Sequence, residues 1–89
     1  MTTILEKIKD SVEQGHYKIT EQLIDQALKK HVPALRIVED SMVPAMRQMG
    51  EKYKNDEADI PKILSCARCM RKGLDLLTPY LETERGLYV

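Results

Sequence analysis

The sequence predicts an all-α fold, an antiparallel four-helix bundle, on three observations. Apolar residues recur three and four positions apart in four separate stretches, and none of these alternates as a strand would. The connections between the stretches are short, which makes consecutive helices antiparallel neighbours. A chain of 89 residues supplies one domain whose single core is only marginally sufficient.

The first helix opens at Thr3-Ile4-Leu5-Glu6, a hydroxyl followed three residues later by a carboxylate, the pattern of a capping box. Ile4, Leu5, Ile8 and Val12 share one face, and Gly15 offers the stop. The second helix starts at Tyr17 or Thr20 and runs to Lys30, burying Leu23, Ile24, Ala27 and Leu28. Lys29, Lys30 and His31 fall at its electronegative end. Pro33 fits the first turn of a third helix, whose buried face reads Leu35, Val38, Met42, Ala45, Met46, Met49 and Tyr53. Pro44 lies inside that pattern and removes the hydrogen bond to the Asp40 carbonyl. The chain is therefore expected to bend there within a continuous helix; a break into two helices, with Ser41 as a cap, is the competing reading.

Lys54 to Ala58 has no apolar anchor, so the chain turns back. Asp59 caps the fourth helix, with Pro61 in its first turn. The face of this helix reads Ile60, Ile63, Leu64, Ala67, Met70, Leu74, Leu77 and Leu81, centred between Ile63 and Leu74. Asp59, Lys62, Cys66, Cys69 and Gly73 form an adjacent stripe. Pro79 marks a bend near the end of the helix. Residues 1–82 thus make the bundle, and residues 83–89 a tail or a linker towards a further domain.

Fourteen basic and fourteen acidic residues cancel, which leaves no net field for nucleic acid or an anionic membrane. No stretch approaches the ~18 apolar residues of a membrane span. The first residues do not read as a secretory signal, and two cysteines without one point to a reducing cytoplasm. With no Phe and no Trp, the core must be aliphatic and rich in Met. No nucleophile–base grouping, phosphate loop or paired-carboxylate cleft can be assembled.

Cys66-Ala-Arg-Cys69 admits three readings. Two thiolates at i and i+3 are half of a zinc site. A redox pair is the second reading, although these thiols lie more than a turn into the helix, away from the N-terminal dipole that would activate one. The third is two small residues in alanine-like positions. The Met residues divide likewise between ordinary core and an adaptable binding face.

Met42-Val43-Pro44-Ala45-Met46-Arg47-Gln48-Met49-Gly50-Glu51-Lys52-Tyr53, with Asn55-Asp56-Glu57, Ile60-Pro61 and Ala67-Arg68-x-Met70, resembles the helical cap domain of corrinoid proteins. That domain occurs in cobalamin-dependent methionine synthase and in the corrinoid carriers of methylamine and methanol methyltransferase systems. The resemblance implies a non-catalytic cap that covers the upper face of a cobalamin held by a Rossmann-like domain or methyltransferase subunit. The cofactor-facing residues it implies are Met49, Tyr53, Asp59, Cys66 and Cys69. Asp59 stands where relatives place Phe or Tyr over the corrin, and a carboxylate suits a helix cap better than an apolar lid. The family's Asp-x-His-x-x-Gly loop, whose His ligates cobalt, is absent from this sequence. The isolated chain is therefore expected to bind cobalamin weakly or not at all. It is expected to close the stripe through Cys66, Cys69 and Gly73 by forming a homodimer. A protein-interaction or sensory bundle without the corrinoid, and a small metal or redox protein using the CxxC pair, are the alternatives.

Overall fold

The computed structural model describes residues 3–84. Four helical rods run through them. They are α1 (Ile4–Gln14), α2 (Tyr17–Lys29), a third rod in three consecutive pieces, and α5 (Ile60–Glu84). The third rod joins α3 (Ala34–Ile37), a π-helical turn (Val38–Met42) and α4 (Val43–Lys54). α1 packs on α2 and on the third rod, and α5 packs on α2, α1 and the third rod. The described residues contain no strand, and the expected four-helix bundle is what forms.

Helix ends follow from local chemistry. Thr3 is extended, and its Oγ1 accepts the Glu6 N–H at 3.2 Å. α1, α2 and α4 stop alike, each with one residue in the left-handed region: Gly15 (φ 76), His31 (φ 64) and Asp56 (φ 59). The next N–H then reaches back across the last turn, from His16 to Ser11 O (3.0 Å), Val32 to Ala27 O (3.0 Å) and Glu57 to Lys52 O (2.7 Å). This is the Schellman stop, which satisfies carbonyls that would otherwise be orphaned. Glycine signals only the first of the three.

Pro44 neither breaks the third rod nor leaves it a plain α-helix. The chain widens into the π turn, where the Val43 N–H bonds the Val38 carbonyl. Ser41 does not cap a helix; its Oγ donates to the Leu5 carbonyl of α1 at 2.8 Å. A π turn takes up more residues than an α turn, so it shifts the phase of the helix beyond it. Ala34, Ile37 and Ser41 are buried before the shift, and Met42, Ala45 and Met49 after it. The expected stripe had the second phase throughout. Leu35 is consequently 43% exposed, and the core contact falls to its neighbour Ala34.

α5 is rotated relative to expectation. Cys66, Cys69, Gly73 and Leu77 are buried; Ile63, Met70 and Leu74 are half-buried; Ile60, Leu64 and Ala67 are exposed. At 100° per residue the inward direction differs by roughly 80° from the one read off the large apolar residues. Close approach explains the difference. A Cβ on Gly73 would lie 2.8 Å from Met42 Cε and 2.9 Å from Ile24 Cδ1, and one on Gly15 would lie 2.9 Å from Ser65 Cβ. Small residues let α5 sit against its neighbours, and dense packing outweighs the burial of two aliphatic side chains. Pro79 lies within α5, which continues through Thr83 to Glu84. The rest of the expected tail, residues 85–89, lies outside the described residues.

Candidate functional site

The five residues implied as cofactor-facing divide into two groups. Tyr53 and Asp59 sit at the surface, on either side of the turn between α4 and α5. The Asp59 carboxylate accepts the Lys62 N–H at 3.0 Å, and its carbonyl accepts that of Ile63. It is the N-cap of α5, as its position before Ile60-Pro61 predicts. Tyr53 occupies the last turn of α4 and is 50% exposed. Past the cap, the outward stripe of α5 presents Ile60 (58% exposed), Leu64 (63% exposed) and the small Ala67. These positions are four and three apart, so they stack on one face. The turn is thus bordered by an aromatic ring on one side and an aliphatic ridge on the other.

Met49, Cys66 and Cys69 are inside the bundle, essentially sealed from solvent. The Cys66 thiol donates to the Glu13 carbonyl at 3.1 Å, tying α5 to the end of α1. Cys69 lies close to Thr20, whose Oγ1 donates to the His16 carbonyl at 3.1 Å and lies 2.7 Å from Ser11 Oγ. Burial pushes both thiols above their ordinary pKa; the charge of Cys66 adds to this at Cys69, and the nearby Thr20 hydroxyl opposes it. Thiols held protonated in this way are poor nucleophiles. Among the described residues no group of three or more His, Cys, Asp or Glu could hold a metal ion. Nearby, the Glu13 carboxylate meets Lys9 Nζ at 3.0 Å and Lys52 Nζ at 3.9 Å.

The stripe expected to close a homodimer is therefore the bundle's own interior. The neighbouring Ile60–Leu64 ridge, which apolar spacing alone assigns to the core, is exposed instead. One signal for this is present in the sequence: Cys66, Cys69 and Gly73, small residues at helical spacing, mark the side on which another helix approaches. Among the described residues no helix is long and apolar enough to cross a membrane.

The geometry has counterparts in known proteins. Monomethylamine corrinoid protein 2 of Methanosarcina acetivorans is 29% identical over 84 residues, covering 94% of this chain and 39% of the relative. The trimethylamine corrinoid protein of Methanosarcina barkeri is 24% identical over 83 residues, covering 93% of this chain and 38% of the relative. The solved structure of the Methanosarcina barkeri monomethylamine corrinoid protein superposes with a TM-score of 0.86 at 30% identity. It covers 89% of this chain and 37% of that one. The chain spans less than two-fifths of the length of these relatives. The family described as B12 binding domain matches residues 4–78, and the chain belongs to that family.

Proposed function

We propose that the chain is the helical cap of a corrinoid protein in a cytoplasmic methyl-transfer system, covering a cobalamin held by a Rossmann-like domain or methyltransferase subunit. The observation that carries the reading is the superposition on the monomethylamine corrinoid protein across nearly the whole bundle. A bound corrinoid supplies the methyl-carrying cobalt, and the cap itself is not a catalyst. The surface that fits such a role is the α4–α5 end. Tyr53, Ile60 and Leu64 offer apolar contact and keep water out, while Asp59 fixes the first turn of α5 beside them. Met49, Cys66 and Cys69 support this surface from beneath, not by touching the cofactor. Two thiols kept reduced accord with a cytoplasmic setting. Without the holding domain the same apolar surface is open to a second copy, and the isolated chain is expected to self-associate through it.

A chimera tests the reading. Residues 4–84 replace the matching segment of the Methanosarcina barkeri monomethylamine corrinoid protein, and photolysis of its methylcobalt bond is followed by absorbance. The chimera should retain the corrinoid and photolyse more slowly when Leu64 is native than when it is Leu64→Asp. A chimera that loses the corrinoid, or whose photolysis ignores residue 64, would overturn the proposal.

A further inference from the structure

Glu13 differs from the other carboxylates seen in ion pairs. Its side chain is 13% exposed, against 61% for Asp25 and 49% for Asp40. Those two each pair with a cation four residues away along the same rod, at 2.9 and 3.0 Å. Glu13 does the same with Lys9 at 3.0 Å, but its other oxygen also lies 3.9 Å from the Nζ of Lys52, in the last turn of α4. The backbone of Glu13 meets α5 as well. The stop of α1 takes the carbonyls of Ser11 and Val12, and the next carbonyl, that of Glu13, accepts the Cys66 thiol. One residue of α1 is thus tied to both helices that flank the α4–α5 turn. Lys52 belongs to that turn itself: its carbonyl accepts the Glu57 N–H at 2.7 Å, and Tyr53 follows it in the chain.

We infer that Glu13 is a positioning residue for the proposed cap surface: acting through Lys52 and Cys66, it sets how Tyr53 stands against the Ile60–Leu64 ridge. This role rests on the cap reading and adds to it a residue that lies outside the surface. Core packing does little to fix the turn, because residues 55–59 are exposed apart from the half-buried Ala58, and Tyr53 is half exposed. Polar ties from the neighbouring rod therefore decide its placement. At 3.9 Å the Lys52 contact acts by charge and not as a hydrogen bond. A carboxylate mostly shielded from water still attracts an ammonium group at that distance more strongly than an exposed one does. A thiol is a weak donor, so of the two ties the ion pair to Lys52 is the stronger. Glu13 touches neither Tyr53 nor the ridge in any recorded hydrogen bond or ion pair, and its effect on the surface passes through Lys52 and Cys66.

Amide exchange in the full chain, resolved by residue with NMR, tests this role. The Glu57 N–H reports the turn, and the Ile24 N–H in α2 reports opening of the whole bundle. Lys52→Met should speed Glu57 exchange relative to Ile24 by about two- to fivefold, and Lys52→Arg should restore it. Glu13→Gln, of the same shape without the charge, should match Lys52→Met, and the double variant should go no further than the larger single one. Lys9→Met breaks the shorter contact of the same carboxylate, but within α1, and should leave the ratio unchanged. Melting by circular dichroism checks that each variant is folded. A pair that served stability alone would move Glu57 and Ile24 together, or would make Lys9→Met the equal of Lys52→Met; either result would overturn the inference. In the chimera, Lys52→Met should speed photolysis and Lys9→Met should not. Photolysis that responds to Leu64→Asp but not to Lys52→Met would remove this inference and leave the cap reading standing.

Discussion

Asp59 holds the start of α5 with one oxygen, and its carboxylate contributes through that single hydrogen bond to the Lys62 N–H. Asp59→Ala should cost about 1 kcal/mol, lowering the melting temperature by several degrees; an unchanged melt would contradict the capping role. His31 and Asp56 occupy left-handed positions that glycine adopts without strain. His31→Gly should therefore stabilise the chain by about 0.5–1 kcal/mol in urea unfolding. Gly73 has the opposite constraint. A Cβ on Gly73 meets only the movable ends of Met42 (2.8 Å) and Ile24 (2.9 Å), and removing a mid-helix glycine gains about 1 kcal/mol. Gly73→Ala should therefore change stability by less than about 1 kcal/mol, whereas Gly73→Val should cost about 1–3 kcal/mol by overpacking. The two thiols link stability to pH. Their folded pKa values are raised by burial, so their contribution is fully present below the unfolded value near 9.0 and is lost as pH rises through the folded one. Between pH 8 and 10.5 the wild-type melt should fall more steeply than that of Cys66→Ala/Cys69→Ala.

Helix positions and most helix ends are legible from spacing, caps and turns, because those signals act within a few residues. Thr3, Gly15 and Asp59 do what their residue types require. What spacing does not give is rotation. Large apolar residues weigh as core in a periodicity, yet on α5 the small residues Cys66, Cys69 and Gly73 decide which side faces in, because they set how closely the helices approach. Two of the five implied site residues, Cys66 and Cys69, are buried for that reason; Met49 is buried on α4 as its spacing predicts, while Tyr53 and Asp59, at a helix end and a cap, lie at the surface. On the third rod the difference has another source. Pro44 withholds one hydrogen bond, and the backbone answers by widening, not by breaking. The bond from Ser41 to the Leu5 carbonyl holds that turn against α1. Ser41→Ala should cost about 1 kcal/mol, and faster amide exchange should appear around Val38–Val43 before it does in α5.

At the scale of the molecule, a small core is reinforced by polar ties between rods. Ser11 with Thr20, Cys66 with the Glu13 carbonyl, and Ser41 with the Leu5 carbonyl join α1 to each of its neighbours. Reinforcement of this kind suits a bundle with no Phe or Trp to fill its interior. At the α4–α5 end the two most exposed of the large apolar side chains, Ile60 and Leu64, face water, and the proposed cap gives that exposure a purpose. The buried thiols should resist Ellman's reagent in the folded chain and react at once in denaturant. The π turn carries a consequence for comparing this chain with others. Because it lodges one additional residue in an unbroken rod, a sequence with a regular helix here would align with a single-position gap between 38 and 42. An ungapped alignment would then read every residue of α4 one place out of phase. Removing Asp40 from this chain should leave the helix content nearly unchanged, yet turn Ala45 and Met49 by about 100°, so that cooperative melting is lost while the far-ultraviolet dichroism persists.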